Sequence, residues 1–297
     1  MNTLRTILVL LGMLGPATAI AAGNCSVTSV TLSAVTYSNA AVTGTGAVGF
    51  ICSRTTPSDG EITVNIGAGP GLYPLAGTRQ AGNGANRIAY SLSTTAPWGD
   101  GISGMGNPQA AVTQFAKGNT DTYPGSFTFT FSMPASLNPV AGLSYSDTVV
   151  IGGTCSTSKA SAGCTLAGSS LAIKIDVPVT CSISSPPGTL NLSYTSFQST
   201  PGLGNVPFAA TCSNGGPYRM SLTPASGTLL GVTYGLTLGT SAGSPTDISS
   251  STSYNLRGTG SPATFYVNAR AAAGQSGTCT GGTCSAISTP HTLRIEY

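Results

Sequence analysis

The sequence predicts an all-β protein of two tandem immunoglobulin-like β-sandwiches, the C-terminal one missing its last strand. Three features of the chain point there. Charged residues make up only 6% of its 297 positions, against about 25% in ordinary soluble domains. Gly, Ser, Thr and Ala stand in their place, which disfavours long helix surfaces and favours short strands with small-residue turns. Apolar and polar residues alternate with period two in run after run, the mark of strands with one buried face. A cysteine-headed pattern then begins twice, after Cys25 and after Cys181.

The N-terminus reads as a secretory leader over residues 1–22. Arg5 is the positive start, Thr6 to Leu14 the apolar core, and Ala19-Ile20-Ala21 a small-residue cleavage region. The apolar run is too short to span a membrane. Cleavage would leave at most Ala22, Gly23 and Asn24 ahead of Cys25, and export implies an oxidising compartment. The net charge of +3 is scattered, and no basic patch suggests nucleic acid.

The first copy spans 23–180. Its expected strands are Val27 to Thr36, Ala47 to Ser53, Glu61 to Ala68, Arg87 to Ser93, Ser126 to Met133, Ser144 to Gly152 and Ser170 to Val179. The last has the cleanest alternation: Leu171, Ile173, Ile175, Val177 and Val179 share one face. The second copy spans 181–297. Its expected strands are Leu190 to Phe197, Val206 to Ser213, Tyr218 to Pro224, Leu229 to Leu238, Ala263 to Ala271 and Thr289 to Tyr297. Phe50-Ile51-Cys52-Ser53 aligns with Ala209 to Ser213, and Tyr90-Ser91-Leu92 with Tyr234-Gly235-Leu236. On that alignment the second copy has nothing to set against Leu171–Val179.

Cys25 with Cys52 and Cys181 with Cys212 occupy matching places, so each pair is expected to close within its own copy. Cys155 with Cys164 and Cys279 with Cys284 remain as local loop clasps. A zinc site at Cys279 and Cys284 is the rival, but secreted thiols oxidise and the single histidine is His291.

Cys25-Ser-Val, Phe50-Ile51-Cys52, Tyr90-x-Leu92, Trp98-Gly99-Asp100-Gly101 and Tyr145-Ser146-Asp147-Thr148 together resemble the spore coat protein U domain, found in subunits of archaic chaperone–usher pili. The second copy lacks the Trp-Gly-Asp-Gly run, and its last strand lacks Tyr-x-Asp. The resemblance implies a two-domain tip adhesin: an adhesive N-terminal domain on a pilin-type C-terminal domain. It also implies a periplasmic chaperone, an outer-membrane usher and an adjacent subunit whose N-terminal strand completes the C-terminal domain. Leu171, Ile173, Ile175, Val177 and Val179 would be the strand with which the first copy completes itself. With so few residues before Cys25, the mature chain is expected to accept a strand but not donate one. The expected location is the pilus tip, reached through the periplasm, with surface attachment and biofilm formation as the role.

If the strand ending at Val179 runs toward the second copy, alternation of strand direction puts Arg54 to Gly60, Thr94 to Gly125 and Thr154 to Ser169 at the far end. These loops carry Trp98, Ile102, Met105, Phe115 and Leu166 as candidates for contact with a surface or host ligand. Trp98 is more simply a packing residue, since Trp-Gly-Asp-Gly looks like a general feature of the family. Gly69 to Pro74 is a further apolar loop, expected at the near end. A secreted carbohydrate-binding or self-standing coat protein that never polymerises is the alternative. Catalysis has little support. Of the carboxylates only Asp59 and Glu61 are close in sequence, and a serine triad would need His291 oriented by a carboxylate. No cofactor motif is present: Gly99 to Gly106 precedes no helix.

Overall fold

The computed structural model describes residues 21–54, 61–75, 78–99, 105, 108–112, 122–158, 163–244, 246–249 and 251–297, the side chains of 21, 22, 109, 111 and 112 excepted. Every regular element among them is a strand. The front half begins with β1 (Ala21–Leu32), β2 (Val35–Thr36), β3 (Val42–Arg54), β4 (Ile62–Ala68), β5 (Tyr73–Leu75) and β6 (Thr78–Asn83). It continues with β7 (Asn86–Ser93), β8 (Gln109–Val112), β9 (Thr122–Met133), β10 (Leu143–Thr157), β11 (Gly163–Ala167) and β12 (Ser169–Val177). The back half holds β13 (Cys181–Ser185), β14 (Gly202–Cys212), β15 (Pro217–Thr223) and β16 (Ser226–Leu229). After them come β17 (Val232–Gly239), β18 (Leu256–Arg257), β19 (Pro262–Ala271) and β20 (Thr292–Glu296).

In the front half one layer runs β11-β1-β3-β9-β7. The β6–β7 hairpin carries the sheet around a corner into the second layer, where β6, β4 and β12 all pair with β10. The two layers enclose one core, and alternation places it there. Along β10, Tyr145, Asp147, Val149 and Ile151 are buried while Ser146, Thr148 and Val150 face out. The back half repeats the plan with fewer strands. One layer is β13-β14-β19-β17-β16 and the other β18-β15-β20, around a core that includes Phe208, Met220, Leu238 and Phe265. Both halves are β-sandwiches.

Four expected strands differ from the observed ones. Val27 to Thr36 is split: β1 ends at Leu32 beside β3, and β2 pairs with β12 in the other layer. Leu190 to Phe197 forms no ladder. Leu190, Leu192 and Tyr194 do pack against the back core, so their alternation encodes burial without pairing. Cys181–Ser185 takes the place beside β14, held in register by the disulfide opposite Cys212. Leu229 to Leu238 is broken into the β16–β17 hairpin, because Leu230 (φ 50°) and Gly231 (φ 75°) adopt the paired left-handed conformation of a tight primed turn. The strand expected to end at Val179 ends at Val177, since Pro178 has no N–H to continue the ladder. Val179 leaves β12 and packs near Gly142 and Gly216 instead. The short strands β2, β5, β6, β8, β11, β16 and β18 carry too few alternating residues to be read from the sequence.

The halves meet at a hydrogen-bonded seam. Ala141 N–H donates to Asn214 O (2.8 Å), Asn214 Nδ2 to Asn138 O (3.0 Å) and Asn138 Nδ2 to Thr259 O (3.2 Å). A cavity of about 330 Å³ lies beside it, lined by Tyr37, Asn138, Val177, Cys181 and Asn214 among others.

Candidate functional site

Four strand pairings of the front half have counterparts in the back half. β3–β9, β9–β7, β7–β6 and β4–β10 correspond to β14–β19, β19–β17, β17–β16 and β15–β20. On that correspondence β10 is the counterpart of β20. β12 covers β10 from Leu143 to Ile151. Among the described residues β20 pairs with β15 alone, and nothing occupies the place β12 takes in front.

The side chains register the difference. On β12, Leu171, Ile173, Ile175 and Val177 are all buried; on β10, so are Tyr145 and Val149. Burial of each such side chain is worth about 1.5–3 kcal/mol. On β20, Leu293 and Ile295 point to the core yet stay half-exposed. On β1, Cys25 and Val27 are buried, whereas on the corresponding β13 Ile183 is 38% exposed. Among the described residues, Ile183, Leu293 and Ile295 thus remain only partly covered, and one edge of β20 carries no ladder partner. A second concavity, about 1010 Å³, lies around Leu203, Gly235 and Arg270 on β14, β17 and β19 and includes none of those three residues.

The motif residues of the front half converge on one buried polar cluster. The Asp147 carboxylate accepts from Leu72 N–H (2.7 Å), Thr148 N–H (2.7 Å) and the Tyr90 hydroxyl. Burial, then the hydrogen bond to Asp147 and its charge, push the Tyr90 phenol far above its ordinary pKa, and Arg79 opposes them. Buried Arg79 donates through Nε to Gly69 O (2.8 Å) and through Nη2 to Ala68 O and Trp98 O (2.9 Å each). The Trp98 indole N–H donates to Ile66 O (3.0 Å), and its ring packs on Phe127 and Phe129. Together these groups satisfy the backbone where β4 ends and the following loop begins. Gly71 and Gly99 sit at φ 81° and 80°, and a Cβ on either would strike Asp147 or the Ala68 carbonyl and Arg79. Arg79 and Gly71 gave no signal in the sequence, because their partners are backbone carbonyls and a carboxylate far along the chain.

Trp98 was a candidate for surface contact, and the structure corrects this: its side chain is fully buried, so the ring is unavailable to a surface. Met105 is half-buried and lies against Gly67 of β4 and Gly152 of β10. Leu166, on β11, packs against the front core. Ile102 and Phe115 lie outside the described residues. The strand ends at Arg54, Ser93, Thr122, Thr157 and Gly163 are all at the end remote from Val177, as the registers of β3, β7, β9 and β10 require. Leu72, in the Gly69 to Pro74 loop, is 61% exposed, and Leu75 just beyond is exposed too.

Four disulfides are present: Cys25–Cys52, Cys155–Cys164, Cys181–Cys212 and Cys279–Cys284. Cys279 and Cys284 are bonded to each other, which leaves no thiolate for zinc. His291 is held by Pro224 O at Nδ1 (2.6 Å) and by the Tyr234 hydroxyl at Nε2 (2.8 Å), with no carboxylate in either bond. Glu61 is exposed, and Asp59 lies outside the described residues. Among the described residues no serine or cysteine side chain is recorded in a hydrogen bond with His291.

Residues 14–152 match the family model of the Spore Coat Protein U domain. The match ends at Gly152, before β12, and does not reach the back half. No curated protein matches the chain. Among solved structures, the chain is similar to the CupB6 tip adhesin from Pseudomonas aeruginosa at 13% identity and a TM-score of 0.40, over 93% of this chain and 95% of that one. It is also similar, at 10% identity and a TM-score of 0.31, to a chain from a chaperone–tip adhesin complex of CFA/I fimbriae biogenesis, over 92% of this chain and 82% of that one.

Proposed function

We propose that this protein is the adhesive tip subunit of an archaic chaperone–usher pilus. Residues 23–180 form an adhesin domain completed by its own β12, and residues 181–297 form a pilin-type domain completed by a strand from another chain. The observation that carries this reading is the contrast between β10, covered by β12, and β20, which among the described residues is bare on the matching edge. The Spore Coat Protein U match in the front half supports it. An incoming strand would gain ladder hydrogen bonds along β20 and set alternate side chains against Ile183, Leu293 and Ile295. A periplasmic chaperone would supply that strand first and an adjacent subunit afterwards, with an outer-membrane usher between. The far-end loops of the front domain would then meet a surface or host ligand and promote attachment and biofilm formation. The cluster of Tyr90, Asp147 and Arg79 is assigned a structural role, and no catalysis is proposed.

Co-purification from periplasm tests the reading. A chaperone should travel with the full chain and be lost when Leu293 and Ile295 are both changed to Asp. A full chain that leaves the periplasm alone, soluble and without a hydrophobic-dye signal, refutes it and favours a self-standing coat protein.

A further inference from the structure

At the far end of the front half two disulfides touch. The sulfurs of Cys25, Cys155 and Cys164 all lie within 4.8 Å of one another. Gly23 makes the approach possible: it stands opposite Cys164 in the β1–β11 register, and a Cβ there would sit 3.4 Å from the Cys164 sulfur and 2.9 Å from Ile62. The two bonds differ in access. Cys25 and Cys52, 1% and 0% exposed, join β1 to β3 at directly opposed positions. Cys155 and Cys164 are both half-exposed. Once β10 and β11 have closed over it, the inner pair is out of reach of an external disulfide, whereas the outer pair is not.

We propose that Cys155–Cys164 is a relay disulfide that oxidises Cys25 and Cys52 from within the fold. In the first step the Cys25 thiolate attacks the sulfur of Cys164 or Cys155. The Cys155–Cys164 bond breaks, the other cysteine of the pair leaves as thiolate, and a mixed disulfide to Cys25 forms. In the second step the Cys52 thiolate attacks Cys25, the Cys25–Cys52 bond forms, and the outer cysteine leaves as its thiolate. Two electrons and two thiol protons have passed from the inner pair to the outer pair. An external disulfide, such as oxidised glutathione, restores Cys155–Cys164 and is reduced to two thiols. The exchange is effectively intramolecular because the three sulfurs are already neighbours. It concerns the front half alone and stands whether or not the pilus reading does.

The test is oxidative refolding of the reduced full chain in oxidised glutathione, sampled by alkylation and peptide mapping. In the variant C155S/C164S, formation of Cys25–Cys52 should slow by about tenfold, while Cys181–Cys212 forms at the wild-type rate. Unchanged Cys25–Cys52 kinetics, or equal slowing of both bonds, overturns the proposal. A second variant, C52S, removes the resolving thiol. It should accumulate Cys25 bonded to Cys155 or Cys164; a Cys25 that stays alkylatable beside an intact Cys155–Cys164 bond overturns the relay.

Discussion

Asp147 shows how a surface-looking motif becomes a buried support. The residue is 2% exposed, and its carboxylate takes hydrogen bonds from Tyr90, Leu72 and Thr148. Asp147→Ala should cost about 3 kcal/mol or more, because each orphaned buried donor costs about 1–3 kcal/mol, as read from denaturant midpoints of the full chain. Tyr90 also fixes a pH response. Burial and Asp147 raise its folded pKa above the unfolded value, and burial raises Tyr145 and Tyr218 in the same direction. Their contribution is fully present below the unfolded pKa of about 10 and is lost as pH climbs beyond it. In alkaline titration the part of the tyrosinate absorbance that is removed by changing Tyr90, Tyr145 and Tyr218 to Phe should therefore appear only with unfolding; that part forming well before unfolding would contradict this. Asp176 runs the other way. Its hydrogen bond from Ser144 and its pairing with Lys174 lower its pKa, so that small surface contribution fades as pH falls.

At the scale of elements, β12 is the piece on which the front half closes. It pairs with β10 over its whole length and buries Leu171, Ile173, Ile175 and Val177. Ile173→Lys would bury an unpaired ammonium in the middle of that face. Loss of cooperative unfolding of the front half is expected, by near-UV circular dichroism; a native spectrum would show that β12 is dispensable. Among the described residues the back half has no equivalent element beside β20. A synthetic peptide of residues 169–177, added to the full chain, should therefore raise the melting temperature of the back half. It should also quench dye binding, whereas the same composition with the alternation shuffled should do neither. Equal effects from both peptides would mean that β20 offers no ordered furrow.

Across the whole molecule, the two halves differ in completeness and meet at a narrow junction. Residues 23–180 should be soluble and monomeric by themselves, while the full mature chain without a partner should self-associate through the β20 edge; size-exclusion chromatography distinguishes them. The junction hangs on Asn138 and Asn214. Asn138 adopts φ 46°, which asparagine tolerates better than most residues. Changing both to Ala should broaden the distribution of angles between the halves in small-angle scattering, with little change in either core.

The sequence by itself determined the β class, the cysteine-headed repeat and the inward face of β12. These are local properties: composition and a period of two can be read wherever a strand has one buried side. That β20 has no strand on its second edge among the described residues also agrees with the order of alternating runs. The tertiary structure alone decided that Trp98 is core, that Arg79 and Gly71 belong with Tyr90 and Asp147, and that Leu190 to Phe197 lies outside any ladder. It also decided that the Cys25 and Cys155–Cys164 sulfurs are neighbours. Each of these depends on contacts between residues far apart in the chain, and a one-dimensional pattern does not record which distant strands close on one another.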